Sequence, residues 1–94
     1  MTAAEFELAL RQDGFNEVLT RELPAGFAVA EHAHPFDVRA LVLAGEITLT
    51  VEGLGRAYRE GDVFVMPAGR PHQENVGPSG VHYVAGRRLA DDQS

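Results

Sequence analysis

The feature that most constrains this chain is a pair of histidines two residues apart, His32 and His34, answered about forty residues later by His72. In an extended strand, side chains at i and i+2 point to one face, roughly 6–7 Å apart. Two imidazoles so placed can close on a single metal ion at about 2.0–2.1 Å each. His72 follows the turn Pro67-Ala68-Gly69-Arg70-Pro71, which can bring a second strand back to the same point. Three neutral imidazoles suit Zn, Fe, Ni, Cu or Co, and Mg or Ca less readily. The pattern calls for a β scaffold around a metal pocket and names no reaction.

The remainder of the chain reads as such a scaffold. Residues 3–11, AAEFELALR, favour a short amphipathic helical turn carrying Phe6, Leu8 and Leu10, ended by Asp13-Gly14. Strands are expected at 15–22 and 27–34, with Pro35 interrupting the pairing. The run VRALVLA at 38–44 is the most continuously apolar and reads as a buried central strand. Gly45-Glu46 turns it into a half-exposed strand at 47–52, where Ile47, Leu49 and Val51 alternate with polar residues. Glu52 to Gly55 forms a hairpin tip, 56–60 runs back, Gly61-Asp62 turns, and 63–66 is another buried strand. Beyond the 67–71 loop come a short strand at 72–76, a turn at Gly77 to Gly80, and a last strand at 81–85. The tail from Leu89 to Ser94 is polar and expected to fray. About eight short strands, with turn signals every 8–12 residues or so, indicate an all-β sandwich or barrel forming a single domain over 1–94.

Composition narrows the function classes. A chain of 94 residues buries only about 60–65% of its unfolded surface, so a homodimer is expected. There is no Cys, which excludes disulfides, thiolate ligands and cysteine nucleophiles. Lysine is absent too, and with it Schiff-base chemistry. A net charge of −6 argues against a nucleic-acid surface, which needs clustered cations. No apolar stretch approaches the roughly 20 residues that span a bilayer. The amino terminus lacks the basic-then-apolar pattern of a secretion signal. A cytoplasmic location is the expectation.

On these residues the sequence resembles the cupins, in particular the small single-domain, RmlC-like members. Gly26, five intervening residues and His32-Ala33-His34 match the first cupin motif, which Gly45 closes. Gly61, the stretch DVFVM, Pro67-Ala68-Gly69 and His72 match the second. The matched motifs lie within 26–45 and 61–76. The resemblance implies a jelly-roll barrel, a divalent metal held by His32, His34 and His72, and a dimer. One transition metal per chain is then expected: Fe, Mn, Ni or Zn.

Two departures matter. Val38 stands where the family usually places a Glu or Gln ligand, and Asp37, one residue earlier, lies on the opposite face from His34 in a regular strand. A bulge beside Pro35 would be needed to turn Asp37 inward. The motif Asn is displaced as well, since Val76 takes its place and Asn75 comes one residue early. Glu74 shares parity with His72, so it is either a surface strand residue or the acid of the cavity, serving as fourth ligand or general base.

Other candidates have plainer readings. His82 matches neither motif and reads as a packed or surface histidine. Tyr58 and Tyr83 read as core or interface aromatics. Arg39 has the chemistry to anchor a carboxylate but the wrong parity, and Arg87-Arg88 reads as a solvated strand end. With His32 and His34 inward, Phe36, Val38, Ala40 and Val42 would form an apolar wall behind the metal. Leu41 and Leu43 would then face out, under a second layer or a dimer partner.

The expectation is a small metal-dependent cupin enzyme of oxygenase, isomerase or lyase type, acting on a small organic molecule, with Glu74 as catalytic acid or base. The alternative is a non-catalytic small-molecule binding or sensing domain. A metal-free relic of an ancestral site is a third reading, disfavoured by the intact histidines. One fold hosts many functions, so the resemblance does not choose among reactions.

Overall fold

The computed structural model describes residues 1–89; of the tail expected from Leu89 onward, residues 90–94 lie outside the described residues. A helix, α1 (Ala3–Gln12), precedes six strands: β1 (Glu17–Leu23), β2 (Ala28–His32), β3 (Phe36–Val51), β4 (Leu54–Arg59), β5 (Val63–Met66) and β6 (His72–Leu89).

The helix starts at a reciprocal cap. Thr2 Oγ1 accepts the Glu5 N–H at 3.1 Å, and Glu5 Oε1 accepts the Thr2 N–H at 2.8 Å, so two otherwise orphaned donors are satisfied. It stops at Asp13, as expected. Phe6 and Leu10, one turn apart, are buried. Leu8, expected to join them, is 61% exposed, because two residues advance about 200° around a helix.

The turns expected at Gly45 and at Gly77 to Gly80 do not break the strands. β3 runs through Gly45 and β6 through Gly80, with register shifts on either side of Gly45. Gly45 has φ 81, and a Cβ there would lie 2.0 Å from the Gly80 carbonyl oxygen. Only a bare backbone fits that crossing, so both strands bend together where sequence signals suggested that each would end.

The bend divides one continuous ladder into two layers. β1, residues 81–89 of β6, residues 36–45 of β3 and β5 are neighbours in the first. β2, the start of β6, the end of β3 and β4 are neighbours in the second. The expected short strands are thus segments of six continuous ones, arranged as a jelly roll. Two further boundaries shift. The hairpin tip is only Glu52-Gly53, both with positive φ (51 and 81), which matches a two-residue turn to the strand twist. β5, expected to be buried, is half so: Phe64 and Met66 point in, while Val63 and Val65 are 43% and 57% exposed.

Each side of β3 has its own core. Ala40, Val42, Ile47, Leu49, Phe64 and Met66 pack between the layers with Val76, Val81, Tyr83 and Ala85. Leu41 and Val84 face outward and pack with Phe6, Leu10 and Phe15, with Leu43 at the margin. The cover expected over Leu41 from a second layer or a partner therefore comes from the chain's own helix. No helix among the described residues is long and apolar enough to cross a membrane.

Candidate metal centre

β2 ends on His32, whose partner across the ladder is His72, the first residue of β6. Val29 pairs with Glu74, and the register shifts between Val29 and His32. His34 lies in the short link to β3, where its carbonyl accepts the Gly69 N–H at 2.8 Å. Asp37 Oδ1 accepts the Ala68 N–H at 2.8 Å, and Oδ2 accepts from Arg88 at 3.1 Å. The loop before His72 is thus tied at two points to the segment that carries His34. The Ala68 N–H, and then Arg88, hold the Asp37 carboxyl below the ordinary carboxylate range despite partial burial. Asp37 is therefore a tether for the loop and stands outside the histidine cluster.

His32, His34, His72 and Glu74 converge, with one ligand atom from each within 4.8 Å of all the others. The short separations are 3.1 Å between His32 Nε2 and His34 Nε2, 3.3 Å from His72 Nε2 to Glu74 Oε2, and 3.4 Å from His32 Nε2 to Glu74 Oε2. Ligands about 2.1 Å from a tetrahedral ion stand roughly 3.4 Å from one another, so the spacing fits one ion.

Hydrogen bonding favours the same reading. His32 Nδ1 lies 2.9 Å from the Ala30 carbonyl and His72 Nδ1 lies 2.9 Å from the Arg70 carbonyl. A carbonyl only accepts, so each Nδ1 carries a hydrogen, and a ring in its neutral form turns its Nε2 lone pair toward the cluster. In that form the lone pairs meet the Glu74 carboxylate, another acceptor, and a cation would satisfy them together. Backbone carbonyls that fix the tautomer in this way are the usual support of a metal-binding imidazole.

His72 is 2% exposed. The buried Nδ1 of His34 has no hydrogen-bond partner among the described residues, and its ring stacks on Phe36 at 4.9 Å with an 8° interplanar angle. Burial, followed by the neighbouring His32 and His72, lowers the His34 pKa below 6.5, while Glu74 opposes the shift. The shift favours the neutral imidazole, the form that binds a metal.

His34, His72 and Glu74 of the cluster line a cavity of about 60 Å³. Phe36 and Val38 line it, as expected, together with Leu49, Phe64 and Met66. Ala40 and Val42, also expected there, belong to the core between the layers. Tyr83 reaches the cavity, and burial raises the pKa of its hydroxyl. His82 is on the surface, with Nδ1 3.8 Å from Glu22. Arg39 faces away, 2.6 Å from Asp13 and stacked over Phe15.

Two charged cavity residues escaped the sequence reading. Arg21 and Arg87 both line the pocket. Arg87, expected to be a solvated strand end, lies 4.6 Å over the Phe36 ring, and Arg88 lies 4.4 Å over Phe15. Alternation along β1 groups Arg21 with Leu19, but which face turns inward depends on the pairing of β1 with β6.

The sequence model of the cupin domain matches residues 19–85. No functionally curated protein matches the chain. Among solved structures, a Rhizobium leguminosarum bv. viciae protein of unknown function superposes with a TM-score of 0.72 at 15% identity, covering 77% of this chain and 68% of that one. A cupin superfamily protein from Desulfitobacterium hafniense gives 0.64 at 22% identity, covering 81% and 80%. An RmlC-like cupin from Shewanella frigidimarina gives 0.67 at 23% identity, covering 80% and 67%.

Proposed function

The chain belongs to the cupin family, and on that premise we propose that it is a metal-dependent enzyme acting on a small organic molecule. The observation that carries this reading is the convergence of His32, His34, His72 and Glu74, the last three of which line a small cavity with apolar residues elsewhere on its lining. In it the three imidazoles hold one divalent transition ion, Fe, Mn, Ni or Zn. A bound ion of this kind supplies Lewis acidity toward a substrate oxygen or a bound water. Glu74, with Oε2 facing both His32 and His72, either completes the ligand set or moves a proton at Oε2. The apolar wall of Val38, Leu49, Phe64 and Met66 limits water around the reacting atoms.

A non-catalytic binding or sensing domain is the second reading. Its support is Val38, an apolar cavity residue in the place of the family's usual carboxylate ligand. If Glu74 serves as a ligand in its stead, no other carboxylate among the described residues lines the cavity to act as a base.

Homodimerisation belongs to the proposal too, supported by Val63 and Val65 exposed on β5, and sedimentation tests it. The deciding experiment is elemental analysis per chain on protein purified without added metal or chelator. Close to one transition ion per chain, lost in His34→Ala, supports the metal site. Persistent absence after reconstitution overturns it. Glu74→Gln then separates the two readings: turnover lost with metal retained indicates an enzyme.

A further inference from the structure

We propose that Arg21 and Arg87 form an anion-binding wall in this cavity, so that its ligand is a compact organic acid held by its carboxylate. The proposal deepens the reading above, on which it rests for the position of the reacting end of the ligand.

Arg21 on β1 pairs directly with Tyr83 on β6, and both line the cavity that His34, His72 and Glu74 also line. Arg87 is four residues further along β6, on the same face as Tyr83. Its guanidinium lies over Phe36, the ring on which His34 stacks. The cavity therefore has imidazoles and a carboxylate at the candidate metal centre and two arginines elsewhere on its lining.

The charges of the arginines are poorly met within the protein. Among the described residues Arg21 is half-buried and forms no ion pair, while Arg87 has only Glu17, at 3.8 Å. Arg39, which faces away from the cavity, is by contrast paired at 2.6 Å. A guanidinium does not neutralise itself by losing a proton, so an anion is its natural partner in a partly apolar setting. Two planar forks match a carboxylate well. The chain as a whole carries −6, so general electrostatic attraction does not favour anions and recognition falls to local groups such as these. The volume of about 60 Å³, where one water needs roughly 10–15 Å³, restricts the ligand to a compact acid.

Calorimetric titration tests the proposal with formate, acetate and malonate, with neutral malonamide and with inorganic phosphate. Each is added to chelator-treated and to Zn-loaded protein. At least one carboxylate should bind chelator-treated protein. Arg21→Gln and Arg87→Gln should each weaken it about tenfold, with zinc content per chain unchanged and malonamide inert. Arg21→Lys and Arg87→Lys keep the charge, lose the fork and serve if a glutamine variant unfolds. They should fall between wild type and glutamine. Four results would overturn the idea: no carboxylate binding to wild type, equal binding by the folded variants, malonamide matching malonate, or phosphate binding more tightly than every carboxylate. Because the chelator-treated arm needs no ion, failure of the arginine wall and failure of the metal site are read separately.

Discussion

His32 and His72 are direct partners across the β2–β6 ladder, and each places its Nδ1 2.9 Å from the carbonyl of the residue two positions earlier. The backbone that pairs the strands thus also aims both Nε2 lone pairs at the cluster. Replacing either ring should cost more metal affinity than the roughly 10–100-fold lost with an orienting contact alone. His72→Ala should lower the metal-to-chain ratio in elemental analysis and also lower the melting temperature, because His72 is fully packed. His32→Ala, with a more exposed ring, should lower metal content with a smaller thermal effect. Equal metal retention in both variants would remove the ladder pair from the ligand set.

Asp37 should matter without being a ligand. Its carboxylate holds the Ala68 N–H and Arg88, and a hydrogen bond to a charged group is worth about 1.5–3 kcal/mol. Asp37→Ala should destabilise the metal-free protein by about 1–3 kcal/mol in urea unfolding. Metal affinity should fall moderately, since the loop that leads into His72 loses a tether. Complete loss of metal from a folded Asp37→Ala protein would contradict the tether assignment.

Acid should destabilise the metal-free protein in two stages. The folded pKa of His34 is below 6.5, so between the two values the unfolded chain binds more protons and stability falls as pH drops from about 6.5. Asp37 is shifted below 3.8, so its contribution is present above that value and disappears only as pH falls through the lower, folded pKa. Urea unfolding from pH 7.5 down to 5, in His34→Phe beside the wild type, isolates the first stage. A flatter profile in the variant is expected.

Gly45→Ala should be among the most damaging single substitutions. The new Cβ would meet the Gly80 carbonyl at 2.0 Å, at a φ of 81. The left-handed backbone alone costs about 1–2 kcal/mol for a non-glycine residue, and relieving the overlap means parting β3 from β6. A fall in melting temperature of at least about 5 °C, or insoluble protein, is expected. A variant of wild-type stability would show that the two strands can move apart at this crossing.

Much of the fold and the centre of the site were legible in the chain itself. Alternation along 47–52 revealed a strand with one buried face, and parity grouped Glu74 with His72 without any knowledge of their neighbours. Both are consequences of a two-residue period, which is local. Spacing around His32, His34 and His72 pointed to one ion for the same reason.

What sequence determined by itself was therefore the periodicity: an all-β chain, its strand segments, the helical start, and the histidines and glutamate that share faces. Tertiary structure decided what periodicity leaves open. Gly45 and Gly80 read as turns because glycine permits a bend, but only their mutual approach shows that the strands bend and continue. Arg87 read as a solvated end, while the pairing of β1, β3 and β6 turns it, with Arg21, into the cavity. Leu41 and Leu43 showed an outward apolar face, and packing alone revealed that α1 covers it. A residue's face is set by its own strand, but what lies opposite is set by contacts between residues far apart in the chain.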